Sequence, residues 1–148
     1  MKVACQKIPT LKSSKIKIAQ RQIPRLTKKE EGRISRLHLQ FGDMMSALWK
    51  CQELDSGESR IIMASVDDII RGWALVDYTY YPPRFHVYVQ KAFRLNGIGQ
   101  KILNRALKYV KKTSNDKLRV FPWDNISREF FLGSMKDHVE ADYRYDTY

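Results

Sequence analysis

The sequence predicts an α+β fold in which helices flank a mixed, mostly antiparallel central sheet. Three predicted strands between residues 60 and 89 follow one another through short connections, which is typical of an antiparallel meander. An amphipathic helix then begins near residue 97 and leads into another strand, which therefore runs nearly parallel to the strand before the helix. The length of 148 residues suits one domain with its own core.

The N-terminal part predicts an extended basic lead-in over residues 1–13, where Pro9 limits helix formation. A single domain is expected over residues 14–148. Its first strand is predicted at residues 15–19, which alternate polar and apolar side chains, and Pro24 ends it.

Two helices are expected before the meander. Thr27 and Glu30 have the spacing of a capping box, which predicts a helix from Lys28 that Gly42 interrupts. Asp43 can cap a second helix. The predicted inner faces of the two helices consist of Ile34, Leu37, Phe41, Met44, Ala47, Leu48 and Cys51.

The meander is expected to begin at Arg60–Val66, a nearly continuous apolar run. Asp67 and Asp68 supply a tight turn before a second strand over residues 69–80. A third strand is predicted at residues 85–89, where apolar residues alternate with His, Tyr and Gln.

A second group of elements follows the meander. Apolar residues recur every four positions over residues 97–112 and predict an amphipathic helix. We expect a strand at residues 118–121, a short helix around residues 125–132, and a last strand in the tail over residues 139–148.

The formal net charge of +11 is concentrated near the N-terminus. Residues 1–36 contain eleven Lys or Arg against two Glu, a net +9, which leaves about +2 for the other 112 residues. One interpretation is a patch that attracts nucleic acid, an acidic protein or a phosphorylated substrate. The other is a solvated segment that aids solubility. The absence of aromatic residues from this segment argues against specific binding of single strands.

Several classes of protein are disfavoured. No apolar run approaches the roughly 20 residues that span a bilayer. The chain turns polar directly after Cys5, unlike a signal peptide, so we expect a cytoplasmic protein with Cys5 and Cys51 as reduced thiols. Three scattered histidines and the lack of a Cys-x-x-Cys spacing predict no metal site. The sequence leaves a homodimer open.

The turn between the third strand and the helix carries the strongest functional signal. Residues 94–99, with the sequence RLNGIG, follow the strand and open the helix. A helix N-terminus has free backbone N–H groups and about half a positive charge, which together attract phosphate. Gly97 and Gly99 carry no Cβ, so backbone amides can approach a pyrophosphate closely, and Arg94 adds charge.

The spacing of the glycines distinguishes between the nucleotide-like ligands that such a turn could bind. A Walker A loop needs Gly-Lys-Ser/Thr after its last glycine, but Gly99 is followed by Gln100 and Lys101. A Rossmann fingerprint needs Gly-x-Gly-x-x-Gly early in a βαβ unit, whereas antiparallel strands come first here. A glycine-relaxed turn without a ligand is the remaining alternative.

At these residues the chain resembles the GNAT superfamily of N-acetyltransferases, over about residues 60–135. Residues 87–89, four intervening residues and then residues 94–99 match the family's Val followed by Gln/Arg-x-x-Gly-x-Gly/Ala. Residues 72–76 look like the family's third strand. Asn125 looks like its coenzyme-contacting asparagine.

The resemblance implies a V-shaped acyl-CoA cleft between two splayed strands, those around residues 85–89 and 118–121. It implies direct attack of a neutral amine on acetyl-CoA, with the backbone N–H of Val89 stabilising the oxyanion. The pantetheine arm would bond to the first strand and the pyrophosphate to amides of residues 95–100. The implied contacts with acetyl-CoA are Val87, Tyr88, Val89, Arg94, Leu95, Asn96, Gly97, Ile98, Gly99, Gln100, Asn125 and Phe131.

The sequence departs from the family's pattern at its usual base and acid. Many members have a glutamate on the strand before the asparagine and a tyrosine seven residues after it. This chain has Val120 and Leu132 at those places, and neither side chain can move a proton. Coenzyme binding through backbone amides is unaffected.

Other residues could take over the acid–base role. His86 is a candidate base, or else a satisfied sheet histidine. Asp124 could assist, or simply cap the short helix. Tyr143 or Tyr145 could supply the acid, or either could pack as an aromatic side chain. Asp77, with Tyr78, Tyr80 and Tyr81 beside it, could line an acceptor pocket or form a surface hairpin. Lys101 and Arg105 could steer the coenzyme's 3′-phosphate, or belong to a solvated helix face.

Two classes of function therefore stay open. The first is an N-acetyltransferase acting on an amine of a protein, a small molecule or a modified nucleic acid. The second is a catalytically degenerate GNAT-fold binding or structural protein, whose basic N-terminal segment binds a partner. The intact turn at residues 94–99 favours the first, and the missing Glu and Tyr favour the second.

Overall fold

The computed structural model describes residues 15–37, 42–94, 96–120 and 139–141, which build one six-stranded sheet. The strands are β1 (Ile16–Gln22), β2 (Arg60–Val66), β3 (Ile69–Asp77), β4 (Arg84–Val89), β5 (Leu118–Val120) and β6 (Val139–Ala141). The helices are α1 (Lys28–Leu37), α2 (Gly42–Leu54) and α3 (Ile98–Thr113).

The sheet runs in the order β1–β2–β3–β4–β5–β6. Strands β1 to β4 pair antiparallel with their neighbours, whereas β4–β5 and β5–β6 pair parallel. α3 is the crossover that the parallel pair β4–β5 requires. The predicted mixed, mostly antiparallel sheet flanked by helices is confirmed, and β1 continues past the predicted residues 15–19 to Gln22.

The start of α1 is a capping box, as predicted. The backbone N–H of Glu30 donates to Thr27 Oγ1 at 3.0 Å, and the backbone N–H of Thr27 donates to Glu30 Oε1 at 3.0 Å. Each side chain thereby satisfies a donor that the helix leaves without a partner. The predicted second helix is confirmed as α2, which begins at Gly42, one residue before the predicted cap Asp43.

Alternating side chains of the sheet form two apolar clusters, one on each face. The α3 cluster contains Ile62, Ala74, Val76, Phe85, Ile98, Ile102, Leu103, Ala106, Val110, Leu118 and Val120 among others. The α1–α2 cluster contains Ile34, Leu48, Cys51, Ile61, Met63, Trp73 and Leu75 among others. The helical period of the apolar residues in α3 is therefore confirmed. None of the described helices has the length and apolar content of a membrane span.

Aspartates set the turn and the end of the β2–β3 hairpin. Asp67 and Asp68 have φ of 52° and 64°, the left-handed geometry of a two-residue hairpin turn. The predicted strand over residues 69–80 is too long, because β3 ends at Asp77. Asp77 Oδ1 accepts the backbone N–H of Thr79 at 2.8 Å and its hydroxyl at 2.5 Å, which turns the chain out of the sheet.

Asp77 also belongs to a buried polar cluster. Asp77 is 1% exposed, and Cys51 Sγ donates to Asp77 Oδ1 at 3.3 Å. Ser59 Oγ, in the same cluster, accepts the backbone N–H of Tyr78 at 2.9 Å. Burial, followed by the charge of Asp77, raises the pKa of the Cys51 thiol to about 12. Cys51 is a free thiol.

A close approach between β3 and α3 fixes where that helix begins. The register of β2 and β3 shifts between Ala64 and Ser65, and Gly72 lies next to this bulge. A Cβ on Gly72 would lie 3.1 Å from the Tyr88 carbonyl oxygen and 3.3 Å from Ile98 Cγ2. Glycine therefore lets the first residue of α3 pack directly on the sheet.

Gly72→Ala is expected to lower the free energy of unfolding by about 1–3 kcal/mol, because its Cβ would press on a backbone carbonyl that cannot move aside. Gly32→Ala is the matched control. An added Cβ at Gly32 in α1 meets nothing within 4 Å, so this change should raise stability by about 0.5–1 kcal/mol. Urea unfolding followed by tryptophan fluorescence measures both. Equal stability of Gly72→Ala and the parent would mean that this contact is loose.

The Cys51 thiol is expected to react slowly in the folded protein. Because its folded pKa of about 12 lies above the usual 9.0, little thiolate exists near pH 8, and iodoacetamide should modify it at least about a hundredfold more slowly than in denaturant. The same shift means that its contribution to stability is complete below pH 9 and falls as the pH rises toward 12. Peptide-resolved mass spectrometry measures the rates, and equal rates in both conditions would contradict the burial of Cys51.

Candidate functional site

β4 presents different side chains to the two faces of the sheet. Its odd-numbered residues, Phe85, Val87 and Val89, pack in or against the α3 cluster. Tyr88 packs against the α1–α2 cluster. His86 lies opposite Leu75 of the α1–α2 cluster and alternates with the odd-numbered residues. The imidazole therefore points to the face opposite α3.

The backbone of β4 alternates in the same way within the plane of the sheet. The Gln90 N–H donates to the Arg71 carbonyl of β3 at 2.7 Å, whereas the Pro83 carbonyl accepts the Arg119 N–H of β5 at 2.9 Å. Odd-numbered positions therefore direct their N–H and C=O groups toward the β5 side. In the described residues, β4 pairs with β5 only at Arg84 and Phe85. The backbone groups of Val87 and Val89 therefore point toward the β5 side at positions that lie past the paired residues.

The turn after β4 ends in a left-handed residue that opens α3. Gly97 has φ 82° and ψ 3°, and its carbonyl accepts the Lys101 N–H at 3.0 Å as the first helical hydrogen bond. The amides of residues 98–100 have no acceptor within the helix. They point out of the positive end of the helix dipole, where an anion would be stabilised. The first turn of α3 contains no acidic residue.

Two arginines brace the segment between β4 and this turn. Arg94 Nε donates to the Val89 carbonyl at 2.8 Å, and its guanidinium lies 5.5 Å from the centre of the Tyr88 ring. Arg71, the extra residue of the β3 bulge, donates from Nη1 to Gln90 Oε1 at 2.9 Å. The Arg71 guanidinium also lies 4.5 Å from the centre of the Phe93 ring. Sequence reasoning missed Arg71, because nothing local in the sequence links it to this loop.

The structure brings one group of the predicted site residues together at the β4–α3 junction, namely His86, Val87, Tyr88, Val89, Arg94, Asn96, Gly97, Ile98, Gly99 and Gln100. A second group lies outside the described residues, namely Leu95, Asp124, Asn125, Phe131, Tyr143 and Tyr145. Within the described ranges no three His, Cys, Asp or Glu side chains gather as metal ligands would.

The prediction that Asp77 and Tyr78 line an acceptor pocket is wrong. Asp77 and Tyr78 are buried in the core, and the Tyr78 hydroxyl is hydrogen-bonded to Ser114 Oγ at 2.7 Å. Tyr81 is 62% exposed and donates to Glu58 Oε1 at 2.7 Å, a hydrogen bond that raises the pKa of Tyr81 to about 12. Tyr81 therefore faces solvent, whereas Tyr80 is half-buried.

The ring of Tyr80 contacts two cationic side chains, one of which, Arg84, lies on the same face of the sheet as His86. The Arg84 guanidinium lies 3.6 Å from the centre of the Tyr80 ring, and the Lys50 ammonium of α2 lies 4.3 Å from it. Lys50 Nζ also contacts the Tyr80 hydroxyl. Arg84 lies two residues before His86 in β4 and on the same face. This arrangement joins α2 to the start of β4 next to the imidazole.

Comparison with known proteins agrees with this architecture. A sequence model described as the acetyltransferase (GNAT) family matches residues 27–133. A search of curated proteins found no match. Among solved structures, an aminoglycoside acetyltransferase from an uncultured soil metagenomic sample, in complex with trehalose, is similar with a TM-score of 0.61. It is 14% identical, and the match covers 89% of this chain and 95% of that one.

Two further structures are similar. AAC(6')-Iy, in complex with the bisubstrate analogue CoA-S-monomethyl-acetylneamine, has a TM-score of 0.57 at 17% identity, over 87% of this chain and 97% of that one. The putative acetyltransferase yncA from Salmonella typhimurium, with its cofactor acetyl-CoA, has a TM-score of 0.58 at 12% identity, over 82% and 78%. At these identities the likeness concerns the fold.

The match over residues 27–133, on a sheet that carries the left-handed turn at the start of α3, shows that the chain belongs to the GNAT family of acetyltransferases.

Proposed function

We propose that this chain transfers an acetyl group from acetyl-CoA to an amine by direct attack. The observation that carries the proposal is the β4–α3 junction, where the amides of residues 98–100 follow the left-handed Gly97 and have no acceptor within the helix. Family membership supports the same class of reaction.

The proposed coenzyme site depends mainly on backbone groups. The amides of residues 95–100 would bind the pyrophosphate, assisted by the positive end of the helix dipole and by Arg94. The backbone groups of Val87 and the N–H of Val89, which point away from β3, would bind the pantetheine arm and its thioester, since the Val89 carbonyl already accepts from Arg94. The other proposed contacts are Tyr88, Asn125 and Phe131.

Bound acetyl-CoA supplies a thioester whose carbonyl carbon is attacked by the amine nitrogen, so that a C–N bond forms, the C–S bond breaks and the coenzyme leaves as its thiol. The backbone N–H of Val89 is the proposed donor to the carbonyl oxygen as that oxygen gains negative charge. Because β3 pairing holds this N–H in place, no reorganisation is needed when the charge develops.

The amine must lose a proton before it attacks, since an alkyl amine such as lysine has a solution pKa of about 10.4. We propose His86 as the base, with Asp124 and Tyr143 as further proton-transfer groups. The imidazole points to the α1–α2 face, whereas α3 packs on the other face. In this proposal the acceptor amine therefore approaches from the α1–α2 side. Its source is a protein, a small molecule or a modified nucleic acid.

A second candidate function is a GNAT-fold binding protein that has lost catalysis. The observation that favours it is Val120, which is 0% exposed within the α3 cluster. The place where many family members carry a glutamate is therefore filled by an apolar core residue. Acetyl-CoA binding without acetyl transfer would select this alternative.

Acetyl-CoA is expected to bind the full chain in a calorimetric titration. Gly99→Val should weaken this binding by at least about tenfold, because the new side chain would occupy the space through which phosphate oxygens reach the amides. Gly32→Val, the same change at a glycine of α1, should leave the affinity unchanged. A parent protein that binds no acetyl-CoA would refute the proposal. If the Gly99→Val protein bound acetyl-CoA with parental affinity, the pyrophosphate would have to bind somewhere other than the start of α3.

His86→Ala is expected to lower kcat by about 10²–10⁴-fold while leaving the Kd for acetyl-CoA unchanged, because a general base acts on the amine and not on the coenzyme. The acceptor for the assay is found by mass spectrometry of amines acetylated in a cell extract. Lys111→Ala, at an exposed position in the last turn of α3, is the control and should keep the parental kcat. Parental turnover by His86→Ala would show that His86 is an ordinary sheet residue.

A further inference from the structure

The solvent face of α3 carries charge of one sign. The helix contains five Lys or Arg and no Asp or Glu among its 16 residues. Four of them, spaced by three or four residues, lie on one side of the helix and form what we call the α3 row: Lys101, Arg105, Lys108 and Lys112. At about 1.5 Å rise per residue the row extends over about 17 Å.

A groove of about 260 Å³ runs beside the α3 row, between α3 and the edge strand β1. It is lined by Ile18, Lys101, Asn104, Arg105 and Lys108. Three cations and one amide therefore surround a small apolar floor. Asn104 accepts a hydrogen bond from Gln100 Nε2 at 3.0 Å through Oδ1, which leaves its own N–H groups available as donors.

No acidic side chain neutralises the α3 row within the described residues. The two ion pairs found there join Lys17 to Asp68 at 3.4 Å and Arg21 to Glu30 at 3.5 Å. Both pairs line a different groove, of about 340 Å³, on the other face of β1. That groove is balanced in charge, whereas the one beside α3 presents positive charge to solvent.

We propose that the α3 row is a docking surface for the phosphate backbone of double-stranded nucleic acid, bound without sequence preference. A straight row of cations is complementary to a polymer with regularly repeated negative charge. The groove has no aromatic lining residue on which bases of a single strand would stack. Tyr109, the aromatic residue of α3, donates to the Glu58 carbonyl at 2.6 Å and packs under Arg60 instead.

An acidic protein is a poorer match for this surface. The centres of protein–protein interfaces are enriched in aromatic residues and depleted of lysine, and the α3 row is the reverse. The proposal does not rest on acetyl transfer, because Lys108 and Lys112 lie about two to three turns beyond the amides at the start of α3. Variants at these two residues therefore test docking and leave the proposed coenzyme site intact.

The test measures binding of the full chain to a short fluorescent DNA duplex of mixed sequence by anisotropy, from about 50 mM to about 200 mM salt. The double variant K108Q/K112Q should reduce the slope of log K against log salt by about 2 and weaken binding about tenfold. Both side chains are exposed, so folding and acetyl-CoA affinity should stay parental. The control K28Q/K29Q removes equal charge from exposed positions of α1 and should have a smaller effect.

Three results would overturn the proposal. Parental duplex binding by K108Q/K112Q would show that the α3 row makes no contact. An equal loss in K28Q/K29Q would assign the binding to net charge or to the basic N-terminal segment. Tighter binding of polyglutamate or of a single strand than of the duplex, with the same dependence on Lys108 and Lys112, would assign the surface to a different partner.

Discussion

The close approach at Gly72 is the constraint on which the site depends. Ile98, the first residue of α3, lies with its Cγ2 only 3.3 Å from the point where a Cβ of Gly72 would stand, so the helix begins directly on β3 and β4. The same stretch of β3 contains Arg71, which holds the loop after β4 through Gln90. The direction in which the first amides of α3 point is therefore determined by contacts with the sheet, and the left-handed Gly97 only completes the turn.

In the proposed reaction, one face of the sheet binds the coenzyme and the other face carries the proposed base. α3 and its N-terminal amides lie on one face, and His86 points to the other. An anion held by backbone amides needs no particular side chain. In the proposed site, the apolar Val120 at the place of the family's glutamate would therefore leave coenzyme binding unaffected. Binding and catalysis are consequently separate properties of this fold, and each has to be measured by itself.

Local signals in the sequence predicted most of the elements. The capping box of Thr27 and Glu30 and the apolar period of α3 involve residues within one or two helical turns, so short patterns contain them. The end of β3 and the bracing of the loop after β4 were missed, because they depend on contacts between distant segments. Cys51 reaches Asp77 across 26 residues, and Arg71 reaches Gln90 across 19. Such pairs become visible only when the strands are in register.

The position of β1 at one edge of the described sheet has a consequence for self-association. An edge strand offers unpaired backbone groups to any strand that can lie beside it, including the same strand of a second molecule. β1 contains Lys17 and Arg21 and no acidic residue. Lys17 and Arg21 are already paired with Asp68 and Glu30, so a second strand at this edge would have to lie beside charged side chains that are held in place. Charged side chains on an edge strand disfavour such pairing, and the composition of β1 thus works against edge-to-edge association of two sheets.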